Sequence, residues 1–179
     1  MKTILASKSP RRAKILADHG YVFSVEPTEA AEVCIPRAPR RTVLVNAARK
    51  LKACRVRHPD AAIIAADTIV WFNGRIYGKP RDLDEARAFL HELSGQTHSV
   101  FTGVAQCRPG ERLRVEVVES RVTFRALSDE LIERYVETVH PIDRAGAYDI
   151  DESGDLIVAS YTGSYENIMG LPLEPLAVL

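Results

Sequence analysis

Apolar and polar positions along this chain recur in two periods, and the switches between them mark out the elements. Thr3 to Ser7 reads as a short strand running straight into a helix start. There Ser9 can cap, Pro10 suits the first helical position and Gly20 suits the residue after the end. Tyr21 to Val25 predicts a second strand, followed to about Pro39 by a Pro/Glu/Ala-rich loop carrying Glu26, Glu29 and Glu32. From about Arg41 to Val56, Leu44, Ala47, Ala48 and Leu51 repeat at helical spacing. Ala61 to Ala66 predicts a buried strand that continues through Thr68 to Phe72, and Asn73-Gly74 is a hairpin turn. Asp82 with Glu85 three residues on resembles a capping box; Ala86, Phe89, Leu90 and Leu93 then line one helix face until Gly95. Two long strands, roughly Thr97 to Cys107 and Leu113 to Phe124, flank the turn Arg108-Pro109-Gly110. A helix from Asp129 to about Thr138 places Leu131, Ile132, Tyr135 and Val136 on one side, and strand and loop punctuated by glycines complete the chain. Alternating strands and helices give an α/β class with a mixed sheet. No internal repeat or low-complexity linker divides the 179 residues, so one domain, or two small lobes sharing a core, is expected.

Composition narrows the partners. The chain is 46% hydrophobic and 27% charged, as globular domains are. Lys plus Arg equals Asp plus Glu at 24 each, so the basic excess that holds a long nucleic acid by its phosphates is missing. A small anion held by a local basic cluster is still allowed. The longest apolar run, Ala61 to Ala66, falls far short of the roughly 20 residues that span a bilayer, so no membrane partner is expected. The apolar stretch Thr3 to Ala6 is likewise too short for a signal peptide. Cys34, Cys54 and Cys107 lie far apart, which fits reduced, mostly buried thiols in a cytoplasmic protein.

Familiar sites are excluded first: HExxH, GxSxG and GxGxxG do not occur. Gly74 to Pro80 only faintly resembles a P-loop, because its glycines are one residue too close and Pro80 stands where the metal-binding hydroxyl belongs. In LASKSPRR, Leu5 to Arg12, a strand leads into a helix N-terminus whose free N–H groups and dipole favour an anion. Ser7 and Ser9 can add hydroxyl donors. Arg11 and Arg12 oppose the dipole there, which a bound phosphate would reconcile; the alternative is that both point into water. In AADTIV, Asp67 interrupts an apolar strand, and a buried carboxylate needs a pair or a cation unless it merely caps a turn. Twelve residues on, Lys79 stands beside rigid Pro80 in GKPRD. Asp143 to Asp155, DRAGAYDIDESGD, is either part of a site or a solvated acidic loop.

Taken in order, LASKSPRR, AADTIV with its NGxIxGKPRD continuation, LSGQTHSVFTGVA, DRAGAY and MGLPLE resemble the Maf family of nucleotide pyrophosphatases, from Ile4 to about Glu174. The resemblance implies an elongated mixed sheet flanked by helices, in two lobes with a central cleft, as in Maf and ITPase-like folds. It implies hydrolysis of a nucleoside triphosphate to the monophosphate and pyrophosphate with a divalent metal, Mg²⁺ or Mn²⁺, and a link to septum formation. It leaves room for a homodimer. The family's catalytic base matches Asp67, its basic residues match Arg12, Lys79 and Lys50 (with Lys52 as the alternative), its serine Ser7 and its loop glutamate Glu32. Its substrate-selecting positions fall on Arg11, Thr68 and Asp151. Arg11 and Thr68 resemble the dTTP/UTP branch rather than the branch acting on 7-methyl-GTP. Pyrimidine-selective members carry Gln in AGAYGIQG, where this chain reads AGAYDIDE. An ionised Asp151 accepts hydrogen bonds and cannot donate one, which bears on base preference and not on phosphate chemistry. The expected mechanism has Asp67 activate a water. Arg11, Arg12, Lys50 and Lys79 grip the phosphates beside the Ser7-Ser9 helix start, and Asp67 with Glu32 binds the metal. The competing readings are a non-catalytic nucleotide sensor controlling division and a carboxylate glycosidase; the basic residues flanking both motifs favour a polyanionic substrate over the latter.

Overall fold

A computed structural model describes residues 2–176. Strand β1 (Thr3–Leu5) leads into helix α1 (Pro10–Asp18), which begins on Pro10 and is followed by Gly20 in the left-handed region at φ 78°. Strand β2 is only Ser24–Val25, shorter than expected, because Tyr21 and Phe23 pack into the apolar cluster beneath α1. Helix α2 (Pro39–Arg57) starts two residues before Arg41, since Pro39 is tolerated in the first turn. Its buried stripe is Val43, Ala47, Leu51 and Cys54, one step round from the one anticipated. Strand β3 (Ala62–Phe72) turns at Asn73-Gly74, both with positive φ, into β4 (Arg75–Tyr77). Helix α3 (Leu83–Leu93) is capped by Asp82, which accepts from the Glu85 N–H, while the Glu85 carboxylate accepts from the Arg81 N–H. Then follow β5 (Thr97–Cys107), β6 (Arg114–Phe124), α4 (Asp129–Val139), the short α5 (Gly154–Ile157), β7 (Val158–Thr162) and α6 (Tyr165–Met169). The hydrophobic pattern did not show α5 or α6, each a turn or so long. Among the described residues no helix is long and apolar enough to cross a membrane.

Among the described residues seven strands form one mixed sheet in the order β2-β1-β3-β5-β6-β7, with β4 added on β3. β2, β1 and β3 run parallel, and the remaining pairs are antiparallel. Side chains alternate along β3. Ile63 and Ala65 pack in the cluster with α2, whereas Ile64 and Ala66 pack with α1 and the segment around Met169. A third cluster covers the other end of the sheet, where Val70, Val100 and Val122 meet α3 and α4. Helix α2 lies so close to β5 that a Cβ on Gly103 would stand 2.4 Å from the Val43 carbonyl oxygen.

One edge of β3 is shared by two short strands with a gap between them. β1 pairs with Ala62 to Ile64, and β4 with Val70 to Phe72. Ala62 and Ile64 turn their backbone groups towards β1, so by the two-residue period Ala66 and Thr68 turn theirs into the gap. Asp67 lies at its centre.

Candidate active site

Asp67 is 5% exposed on the α2 side of β3. Its Oδ1 accepts from Lys50 Nζ at 2.7 Å and its Oδ2 from Asn46 Nδ2 at 2.9 Å. Asn46 and Lys50 are four residues apart on α2, so one helix face delivers both. Lys50 Nζ also reaches Glu32 Oε1 at 2.7 Å and, at 3.4 Å, the Ala66 carbonyl at the open edge. Asn46 exchanges hydrogen bonds with both backbone groups of Val33, pinning the loop that carries Glu32. Burial pushes the Glu32 carboxyl up, but the bond and charge of Lys50, with Lys79 and Arg12 farther off, hold it below its ordinary value. Lys50 thus meets Asp67, whereas Lys52 is exposed.

On the opposite side of β3, Arg12 is clamped by neutral oxygens. Its Nε donates to the Gly170 carbonyl at 2.7 Å, one terminal nitrogen to Thr68 Oγ1 at 3.0 Å and the other to Ser7 Oγ at 3.3 Å. Burial, partly opposed by Asp67, draws its pKa below the ordinary arginine value. Thr68 Oγ1 is also 2.9 Å from Thr102 Oγ1, so this hydroxyl is engaged in holding Arg12. Ser9 occupies the N-cap of α1, but its side chain makes no capping bond; its N–H donates to Ser7 Oγ instead. The capping expected of Ser9 is therefore replaced by a Ser7-centred turn.

The third wall comes from residues 141–152, an irregular stretch in which Gly146 and Ala147 both have positive φ. Arg144 bonds Asp143 at 2.6 Å, Asp149 at 3.0 Å and Glu152 at 2.6 Å. Arg11 reaches Asp143 at 3.8 Å and Asp149 at 3.7 Å. Tyr148 rests on buried His98 through a 2.9 Å hydroxyl–imidazole contact, and burial lowers the His98 pKa to about 4.

These walls enclose a cleft of about 440 Å³, within the range of small-molecule sites. Ser9, Arg11, Arg12, Glu32, Lys50, Asp67, Thr68 and Lys79 all line it. Ser7 lies beneath the lining as a buried acceptor. Lys79 is exposed, and among the described residues no carboxylate pairs with it. Asp151 does not line the cleft. It is exposed, and its Oδ1 accepts from the Tyr165 hydroxyl at 3.1 Å; the carboxylate in the lining is Asp149, two residues earlier. Asn46 is a lining residue outside the motifs, and Arg144 and Asp149 are lining residues within the Asp143 to Asp155 stretch, which as a sequence did not point to either one. Asn46 carried one signal, a polar residue immediately before the apolar stripe position Ala47. Of the thiols, Cys54 and Cys107 are buried as expected, whereas Cys34 is exposed at the cleft.

Over residues 2–179 the sequence matches the family described as Maf-like protein. It is 42% identical over 174 residues to the dTTP/UTP pyrophosphatase of Akkermansia muciniphila, covering 96% of this chain and 90% of that protein. It is 45% identical over 172 residues to the dTTP/UTP pyrophosphatase of Symbiobacterium thermophilum, covering 96% and 88%. Among solved structures, the Ham1 protein of Staphylococcus aureus superposes with a TM-score of 0.53 at 13% identity, over 70% of this chain and 73% of that one, a likeness of fold.

Proposed function

The chain belongs to the Maf family, and from that premise we propose that it is a nucleoside triphosphate pyrophosphatase, hydrolysing dTTP and UTP to the monophosphate and pyrophosphate. The observation that carries this is Asp67. A buried carboxylate stands in the gap between β1 and β4 along β3, in a cleft where Arg12, Lys50 and Lys79 also meet. A glycosidase pairing Asp67 with Glu32 would have no use for those cations. They suit a triphosphate.

Asp67 and Glu32 are hard oxygen donors already gathered on one ammonium at 2.7 Å each. Among the described residues no group of three or more His, Cys, Asp or Glu is assembled for a metal. Two carboxylates nevertheless suit Mg²⁺ or Mn²⁺, which complete their shells with water and phosphate oxygens, so the residues fit the cation that the family implies. When bound, such a cation neutralises triphosphate charge and makes water more acidic.

The chain's own residues supply the rest. Asp67, oriented by Asn46, holds the attacking water and takes its proton. Lys50 spans Asp67 and Glu32 and can follow the charge onto a phosphate oxygen. Arg12 and Lys79 stabilise the charge that builds on the α phosphate and on the leaving pyrophosphate. Three unpaired thiols and a nucleotide substrate suit the cytoplasm. The test is ion-exchange separation of products from UTP, dTTP, CTP and GTP with Mg²⁺ or Mn²⁺. Monophosphate and pyrophosphate, formed fastest from UTP and dTTP, are expected; no turnover of any of the four would refute the reading.

A further inference from the structure

Arg11 and Arg12 are neighbours in the first turn of α1, yet their guanidiniums meet opposite surroundings. Arg12 is held by two hydroxyls and a carbonyl, and among the described residues no carboxylate comes within ion-pair distance of it. Its charge is left for an anion in the cleft. Arg11 stands 3.8 Å from Asp143 and 3.7 Å from Asp149, two carboxylates that it shares with Arg144.

Asp149 is fixed in this role. It is 6% exposed, its Oδ2 accepts from Arg144 Nε, and its Oδ1 accepts from the Asp151 N–H at 2.9 Å. Its own N–H donates to the buried Tyr135 hydroxyl at 2.9 Å. A triphosphate brought against Arg11 would therefore face an immobile carboxylate behind the guanidinium. The lining beside Asp149 is of another kind. Tyr148 and Ile150 flank it in sequence, and Ile150 packs against two apolar clusters, one that Ile168 also packs against and one that contains Met169. Apolar and aromatic surroundings suit a nucleobase. A guanidinium donates only, which matches the carbonyl acceptors of uracil and thymine.

Resting on the pyrophosphatase reading, we propose that Asp149 is a positioning residue that commits Arg11 to the nucleoside end of the substrate and leaves the triphosphate to Arg12, Lys50 and Lys79. The two arginines of one helical turn thus serve opposite ends of one ligand.

The test separates the two ends: UTP kinetics together with competition by inorganic tripolyphosphate, which has no base. Asp149→Asn is expected to raise KM for UTP about tenfold with kcat within about threefold, and to leave the tripolyphosphate inhibition constant within about twofold. Arg12→Ala is expected to raise that inhibition constant about tenfold or more. An unchanged KM in Asp149→Asn, or a KM rise matched by the inhibition constant, would overturn the proposal. Should Asp149→Asn not fold, Arg11→Gln takes its place with the same split expected; a loss of tripolyphosphate affinity as large as that of Arg12→Ala would overturn it. If the wild type turns over no nucleotide, the pyrophosphatase reading falls. The same variants are then titrated calorimetrically with UMP and with tripolyphosphate. Selective loss of UMP affinity in Asp149→Asn supports the assignment, and equal or no loss of both refutes it.

Discussion

Asp67 has each oxygen engaged by a different donor, the ammonium of Lys50 and the amide of Asn46, and these bonds offset the penalty of burying it. Asp67→Asn keeps the shape and removes the proton acceptor. Turnover of UTP is expected to fall about 10²–10⁴-fold at unchanged circular dichroism, and near-wild-type kcat would remove Asp67 from the chemistry. His98 makes a different prediction. It is 2% exposed, its pKa is lowered from 6.5 to about 4, and its ring packs edge-on to Phe124 and Tyr148. Between those two values the unfolded chain takes up a proton that the folded chain refuses. Stability is therefore complete above pH 6.5 and declines as pH falls towards 4, by about 3 kcal/mol in all. Urea melts across this range should show the decline, and His98→Gln should flatten it; an unaltered slope would exclude His98 as its source.

Helix α2 and strand β3 build the proposed reaction centre between them, and much of this was legible in the sequence. Helical spacing marked α2, although only the family resemblance singled out Lys50 on it; an apolar run interrupted by Asp67 marked the strand, and Asn73-Gly74 marked the hairpin. The edge gap was not legible, because it depends on β1 and β4 covering different stretches of β3. Nor was the Arg11–Asp149–Arg144 cluster, which is assembled by 3₁₀ turns and positive-φ backbone with no period to read. Asp151 shows the same limit: in an irregular segment a shift of two residues decides which carboxylate enters the cleft. The α2–β5 contact can be probed at Gly103, where an added methyl meets the Val43 backbone, which cannot yield as a side chain would. Gly103→Ala is expected to destabilise by about 1–3 kcal/mol. It should also lower kcat, since a displaced α2 carries Asn46 and Lys50 with it. An unchanged urea midpoint would show that the helix has room to move.

At the scale of the whole molecule the charges cancel, yet they are not evenly spread. The cleft lining gathers Lys8, Arg11, Arg12, Lys50, Lys79 and Arg144 against Glu32, Asp67, Asp143 and Asp149, a local excess of base that the zero net charge conceals. That excess draws in a polyanion and weakens with salt. Dialysis against EDTA is expected to abolish hydrolysis and Mg²⁺ or Mn²⁺ to restore it; full activity in the dialysed protein would show that Asp67 and Glu32 work without a cation. In the proposed reaction water, held by Asp67, attacks the α phosphate. Hydrolysis of UTP in water enriched in heavy oxygen, followed by phosphorus NMR, reads this directly. UMP carrying the heavy oxygen, beside unlabelled pyrophosphate, is the predicted result. UDP with labelled phosphate, or label in the pyrophosphate, would contradict it.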